Sequence, residues 1–156
     1  MKPRRRARCL ILEVLYEFDM SGHAPAEVMQ RRVRETVDAE GEELEPLSNN
    51  ATEFASSLLR GVVRVGSDID MIISRFAPEW PLDQIAVIDR NILRIAIYEV
   101  LIDGNTPIKV AINEAVELAK LYGSDSAPRF VNGVLGTLTE QTDALRAELL
   151  GEPVPA

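Results

Sequence analysis

The stretch from Asp83 to Leu101, DQIAVIDRNILRIAIYEVL, constrains the fold more than any other. Its apolar residues Ile85, Ile88, Ile92, Leu93, Ile95, Ala96, Ile97, Val100 and Leu101 recur at helical spacing and cover more than one face. A helix of that kind is packed on several sides, with Asp89, Arg90 and Arg94 confined to the surface that remains. It therefore belongs at the centre of a helical bundle. No strand alternation of useful length and no short internal repeat occurs elsewhere, so the sequence predicts an all-α domain.

The remaining segments supply helices to surround it. Arg4 to Phe18 carries Leu10, Ile11, Val14, Leu15 and Phe18 on one side, and Cys9 beside that stripe reads as a small buried side chain. Pro25 can start a second helix through about Val37, with Val28, Met29, Val33 and Val37 as a thin stripe; the acid-rich run from Asp38 to Glu45 reads as a solvated loop. A third helix, from about Asn50 to Val65, turns Phe54, Leu58, Leu59, Val62 and Val63 inward. Ser67 can cap a fourth, through Ile69, Ile72, Ile73 and Phe76 to Ala77. Pro78 and Pro81 bracket Trp80 in a turn before the central helix.

After the centre, Thr106 is placed to cap a helix and Pro107 to occupy its first turn. Val110, Ala111, Ala115, Leu118, Ala119 and Tyr122 form its apolar side, and Gly123 ends it. The joint SDSAPR leads to a shorter apolar helix holding Phe130, Val131, Val134, Leu135 and Leu138. Gly133 and Gly136 lower its helix propensity, which predicts close approach to another helix. Thr139 to Leu150 can add a last helical segment, and the tail 151–156 is expected to be disordered. The expectation is one domain over 1–150, of about seven helices in two small helical subdomains that meet near 78–83.

Net charge is −8, which taken alone disfavours a nucleic-acid partner. Its distribution points the other way. Lys2, Arg4, Arg5, Arg6 and Arg8 are five of the seventeen basic residues and fall within the first eight positions, leaving twelve against twenty-five acidic groups. A positive end on an acidic body binds a polyanion locally and repels it elsewhere. Cations in a first helical turn also oppose the helix dipole, a penalty that a bound phosphate would relieve. A frayed basic terminus that only aids solubility is the plainer reading of the same charges.

Catalysis finds little support in the residues. His23, the only histidine, sits in a Gly/Pro turn; one cysteine gives no intramolecular disulfide; no zinc spacing, calcium loop or Gly-rich phosphate loop is present. Glu114 and Glu117 lie one turn apart, but helical di-metal sites add histidines and here Lys120 follows, so a charged helix face is the reading. No metal or cofactor is expected. With no apolar run near the roughly 20 residues that span a bilayer and no secretory signal, a cytoplasmic chain without a membrane partner is expected.

Three segments, RRRARCLILEVLYEFD, VIDRNILRIAIYEVL and VAINEAVELAK followed by FVNGVLG, resemble the NusB family of transcription antitermination factors in the family's order. That resemblance implies an all-helical fold with two subdomains and no enzymatic reaction. It implies binding of the single-stranded boxA RNA of nascent rRNA leaders together with NusE, a small-subunit ribosomal protein, to help load an antitermination complex on RNA polymerase. By position it assigns RNA contacts to Arg4, Arg5, Arg6 and Arg8 and brings Asp125, Arg129 and Phe130 near the RNA path. Phe130 is either a stacking surface for a splayed base or a core anchor, and periodicity favours the anchor. Asp125 is read as limiting RNA affinity or capping a helix. The NusE contacts are Tyr16 and Asp89, the latter in place of the longer Glu frequent in the family, and the SDSAPR joint carries one residue more, Pro128. The family includes monomers and homodimers. Alternatives are a protein-only helical adaptor and the NusB-like domain of an rRNA methyltransferase, for whose catalytic sheet 156 residues leave no room.

Overall fold

The computed structural model describes residues 1–151, so the expected disordered tail falls, for 152–156, outside the described residues. Among the described residues there are eight α-helices and no sheet, only an isolated bridge between Val37 and Glu43. The chain divides into two compact units, Met1–Arg60 and the part from Gly61 on. The turn at 78–83, where the sequence predicts the subdomain break, lies within the second unit. Its prolines reverse the chain and fold one helix back onto the next.

In the first unit, α1 (Pro3–Ser21) starts on a proline that needs no N–H partner and stops at Gly22, whose left-handed φ of 74° lets its N–H reach Phe18 O at 2.8 Å. It packs on α2 (Pro25–Val33), which ends four residues before the expected Val37. Charged groups fasten the pair: Arg32 donates to Glu13 and Glu17, each at 3.1 Å, and Arg31 to both oxygens of Glu17. The acid-rich run is an ordered bend, because Asp38 Oδ1 accepts the N–H groups of Glu40 and Glu42 and Gly41 takes a φ of 85°. Ser48 Oγ then caps α3 (Asn49–Arg64) through Ala51 N–H at 3.2 Å. Val33, Val37, Val63 and Phe18 are exposed, contrary to their assignment to apolar stripes.

The second unit contains α4 (Gly66–Phe76), α5 (Val87–Ile97), α6 (Ile108–Tyr122), α7 (Ala127–Thr139) and α8 (Thr142–Leu150). The central helix begins at Val87 rather than Asp83; Leu82–Gln84 form a separate 3-10 turn. α5 packs on α4, α6 and α7, as its apolar coverage requires. It passes into a π-helical stretch, Tyr98–Asp103, closed by Gly104 N–H on Glu99 O at 3.0 Å, five residues back. Arg146 of α8 donates to the carbonyl of Leu101 at 2.8 Å, satisfying an acceptor at the widened turn.

Polar groups fix this core as well. Arg94 is not a surface charge: it forks onto Asp70 through two 2.8 Å bonds and holds the fully buried Asn91 at 2.9 Å. Neither predicted hydroxyl cap forms. α4 starts at Gly66 with no side-chain cap, so Ser67 lies within its first turn. Thr106 is buried and gives its hydroxyl to the carboxylate of Glu99 at 3.1 Å, a buried acid that needs donors more than the helix end does. Gly133 and Gly136 face open space. A glycine within a helix that does permit close packing is Gly61, against the ring of Tyr98.

Candidate nucleic-acid interface

The basic start of α1 is built from Lys2 in extended backbone and Pro3 at the first helical position, with no acidic residue in the first turn. Lys2 and Arg4 are exposed, and Arg5 and Arg6 are half-buried. Arg8 is 3% exposed, which removes it from the open basic face that the sequence suggested. The reason is helical phase. One turn beyond Arg8 lies Leu12, wholly buried, so Arg8 shares the apolar side of α1.

Its guanidinium carbon lies 5.0 Å from the ring centroid of Phe54 on α3, and that of Arg4 lies 4.7 Å from the same ring. Both distances are in the cation–π range. Phe54, read from the sequence as a core residue, is half-buried and meets the two arginines; nothing local in the sequence signals that pairing. Arg6 lines a cleft of about 380 Å³ together with Met1, Pro3 and residues 43–48.

Tyr16 lies on the same helix, exposed, about 18 Å along the axis from Arg4 at the ordinary helical rise. Beside it in sequence, Glu17 is surrounded by basic side chains. Arg31 foremost, then His23, whose Nδ1 is 3.0 Å away, and Arg32 hold its carboxyl down to about 2. His23 is exposed and Cys9 buried, as their sequence contexts predict.

In the second unit the α6–α7 joint carries Asp125 and Arg129, both exposed, and Phe130, half-buried. Phe130 is thus neither wholly buried nor fully open. α7 starts without a side-chain cap, so helix capping drops out for Asp125. Pro128 lies in the first turn of α7, where it costs no hydrogen bond. Asp89 on α5 reaches this joint: a Cβ added at Gly123 would meet Asp89 Oδ1 at 3.3 Å and Ala119 O at 2.9 Å. Gly123 therefore does more than end α6. Burial pushes the Asp89 carboxyl up. Glu117 pairs with Lys120 at 3.2 Å on the charged face of α6, and among the described residues no cluster of His, Cys, Asp or Glu is arranged to hold a metal ion. No helix among them is long and apolar enough to cross a membrane.

The NusB family model matches residues 5–140. The transcription antitermination protein NusB of a Roseiflexus strain is 46% identical over 140 residues, covering 88% of this chain and 92% of its own. That of a Dehalococcoides mccartyi strain is 42% identical over 137 residues, covering 88% and 90%. Among solved structures, T. maritima NusB superposes with a TM-score of 0.77 at 31% identity over 95% of this chain and 99% of its own. A chain from the structure of antitermination factors NusB and NusE in complex with dsRNA gives 0.73 at 28% identity over 90% and 98%.

Proposed function

The chain belongs to the NusB family, and from that membership we propose that it is an RNA-binding transcription antitermination factor. With NusE it binds the boxA element of nascent rRNA leader transcripts and helps load the antitermination complex on RNA polymerase. The observation that carries this reading is the start of α1: exposed Lys2 and Arg4, with Arg5 and Arg6 beside them, on a chain whose net charge is −8. Such a charge distribution favours one RNA path over general coating. Further support comes from the family likeness to a NusB that was solved with NusE and RNA.

The protein binds and positions; it transforms nothing. Guanidinium edges and the Lys2 ammonium take phosphate oxygens, a contact that carries affinity and little sequence information. On the second unit, the open part of Phe130 offers a stacking surface to a splayed base, Arg129 adds a cation, and Asp125 holds affinity down by like-charge repulsion. Tyr16 on the first unit and Asp89 on the second are each taken as NusE contacts.

The test is binding of a labelled boxA-like RNA against a scrambled control, with and without NusE, across a salt series. Preference for boxA, strengthened by NusE and lost in an Arg4→Ala, Arg5→Ala double variant, is the expected result. No binding of either RNA at any salt, with or without NusE, would favour a protein-only adaptor.

A further inference from the structure

The five basic residues at the start of the chain do not share one role. Arg8 is 3% exposed and its guanidinium lies 5.0 Å from the Phe54 ring centroid, whereas Arg4 is exposed and lies 4.7 Å from that ring. A guanidinium over an aromatic ring engages through its face. Its N–H donors lie in the plane and remain available at the edges. For exposed Arg4, stacking and phosphate binding are therefore compatible. For Arg8, burial leaves no edge that a phosphate could reach.

We infer that Phe54 is a positioning residue for RNA: its ring is a mount on which Arg4 is held in place, Arg4 makes the phosphate contact, and Arg8 is a buried cation on the same ring that takes no phosphate. Free arginine side chains carry rotamer entropy that a bound state must remove, and a ring that already orients the guanidinium lowers that cost before RNA arrives. This inference rests on the RNA-binding reading above.

The experiment is a fluorescence-anisotropy titration of a labelled single-stranded boxA-like RNA over a salt series, for wild type and Arg4→Ala, Arg8→Met, Phe54→Leu and Phe54→Tyr. Far-UV circular dichroism of each variant checks folding. Arg4→Ala should lower the slope of log K against log salt by about 0.7, the value for one phosphate contact on a single strand. Arg8→Met, which keeps length and removes charge, should leave that slope at the wild-type value. Phe54→Leu should weaken binding about two- to fivefold, the worth of an exposed cation–π contact, and Phe54→Tyr should restore it. In the free protein, the ring-current shift of the Arg4 side-chain resonances should vanish in Phe54→Leu and persist in Phe54→Tyr. A folded Arg8→Met variant that loses as much slope as Arg4→Ala would overturn the inference while RNA binding stands, and so would unchanged affinity in Phe54→Leu. Should Arg8→Met fail to fold, the two Phe54 variants decide alone. A wild-type chain that binds no RNA at any salt would overturn the RNA-binding reading itself, and this inference with it.

Discussion

Replacing Gly61 by alanine sets two opposed effects against each other within α3. Glycine inside a helix is disfavoured relative to alanine by about 1 kcal/mol, so helix propensity alone predicts a more stable protein. The packing predicts the reverse. A Cβ at Gly61 would fall on Cζ, Oη and Cε2 of Tyr98, a residue only 7% exposed at the start of the π-helical stretch. A ring so enclosed cannot swing clear by a rotamer change; it must leave its site. Removing a large aromatic side chain from a core costs about 3–5 kcal/mol, so the net effect of Gly61→Ala is a loss of roughly 2–4 kcal/mol.

Urea unfolding followed through Trp80, the single tryptophan and a member of the same unit, measures this directly. The midpoint should fall by about 1–2 M with the slope unchanged. In a Tyr98→Leu background, itself destabilised, Gly61→Ala should cost little, so the double-mutant cycle shows strong coupling. A Gly61→Ala protein as stable as the wild type, or more so, would refute the close approach.

Other perturbations test other parts of the molecule. Gly133→Ala, on the open face of α7, should stabilise by about 0.5–1 kcal/mol in the same urea assay, the opposite sign to Gly61. Glu17 is held near 2 in the fold, below its value in the unfolded chain, so unfolded chains take up the proton first on acidification. Its stabilisation is complete above the ordinary carboxylate range and is lost as pH falls from about 5 towards 2; Glu17→Gln should flatten that part of an acid-unfolding curve followed by circular dichroism. Asp70→Ala should destabilise by about 1–3 kcal/mol by removing both acceptors of the Arg94 fork, and Arg94→Met added to it should cost less than the two single changes summed. Asp125→Asn should tighten RNA binding at low salt in an anisotropy titration, and unchanged or weaker binding would remove Asp125 as a brake on affinity.

The all-helical class, the order of the helices and the central place of the Asp83–Leu101 segment were legible in the sequence, because apolar spacing of 3.6 residues is a local property that packing later uses. The basic start of α1 was legible for a similar reason: charge density along the chain needs no fold to be seen. What the tertiary structure alone decided is the choice among residues that are locally alike. Arg4 and Arg8 are the same side chain one turn apart and both meet the ring of Phe54 on α3, yet Arg4, at the helix start, is exposed and Arg8, one turn from the wholly buried Leu12, is not. Gly61, Gly133 and Gly136 are all helical glycines, and only Gly61 meets a ring. Thr106 looked like a cap until a buried Glu99, seven residues earlier, claimed its hydroxyl. In each case the deciding partner comes from another turn or another helix, and a side chain's role is fixed by what the fold places against it.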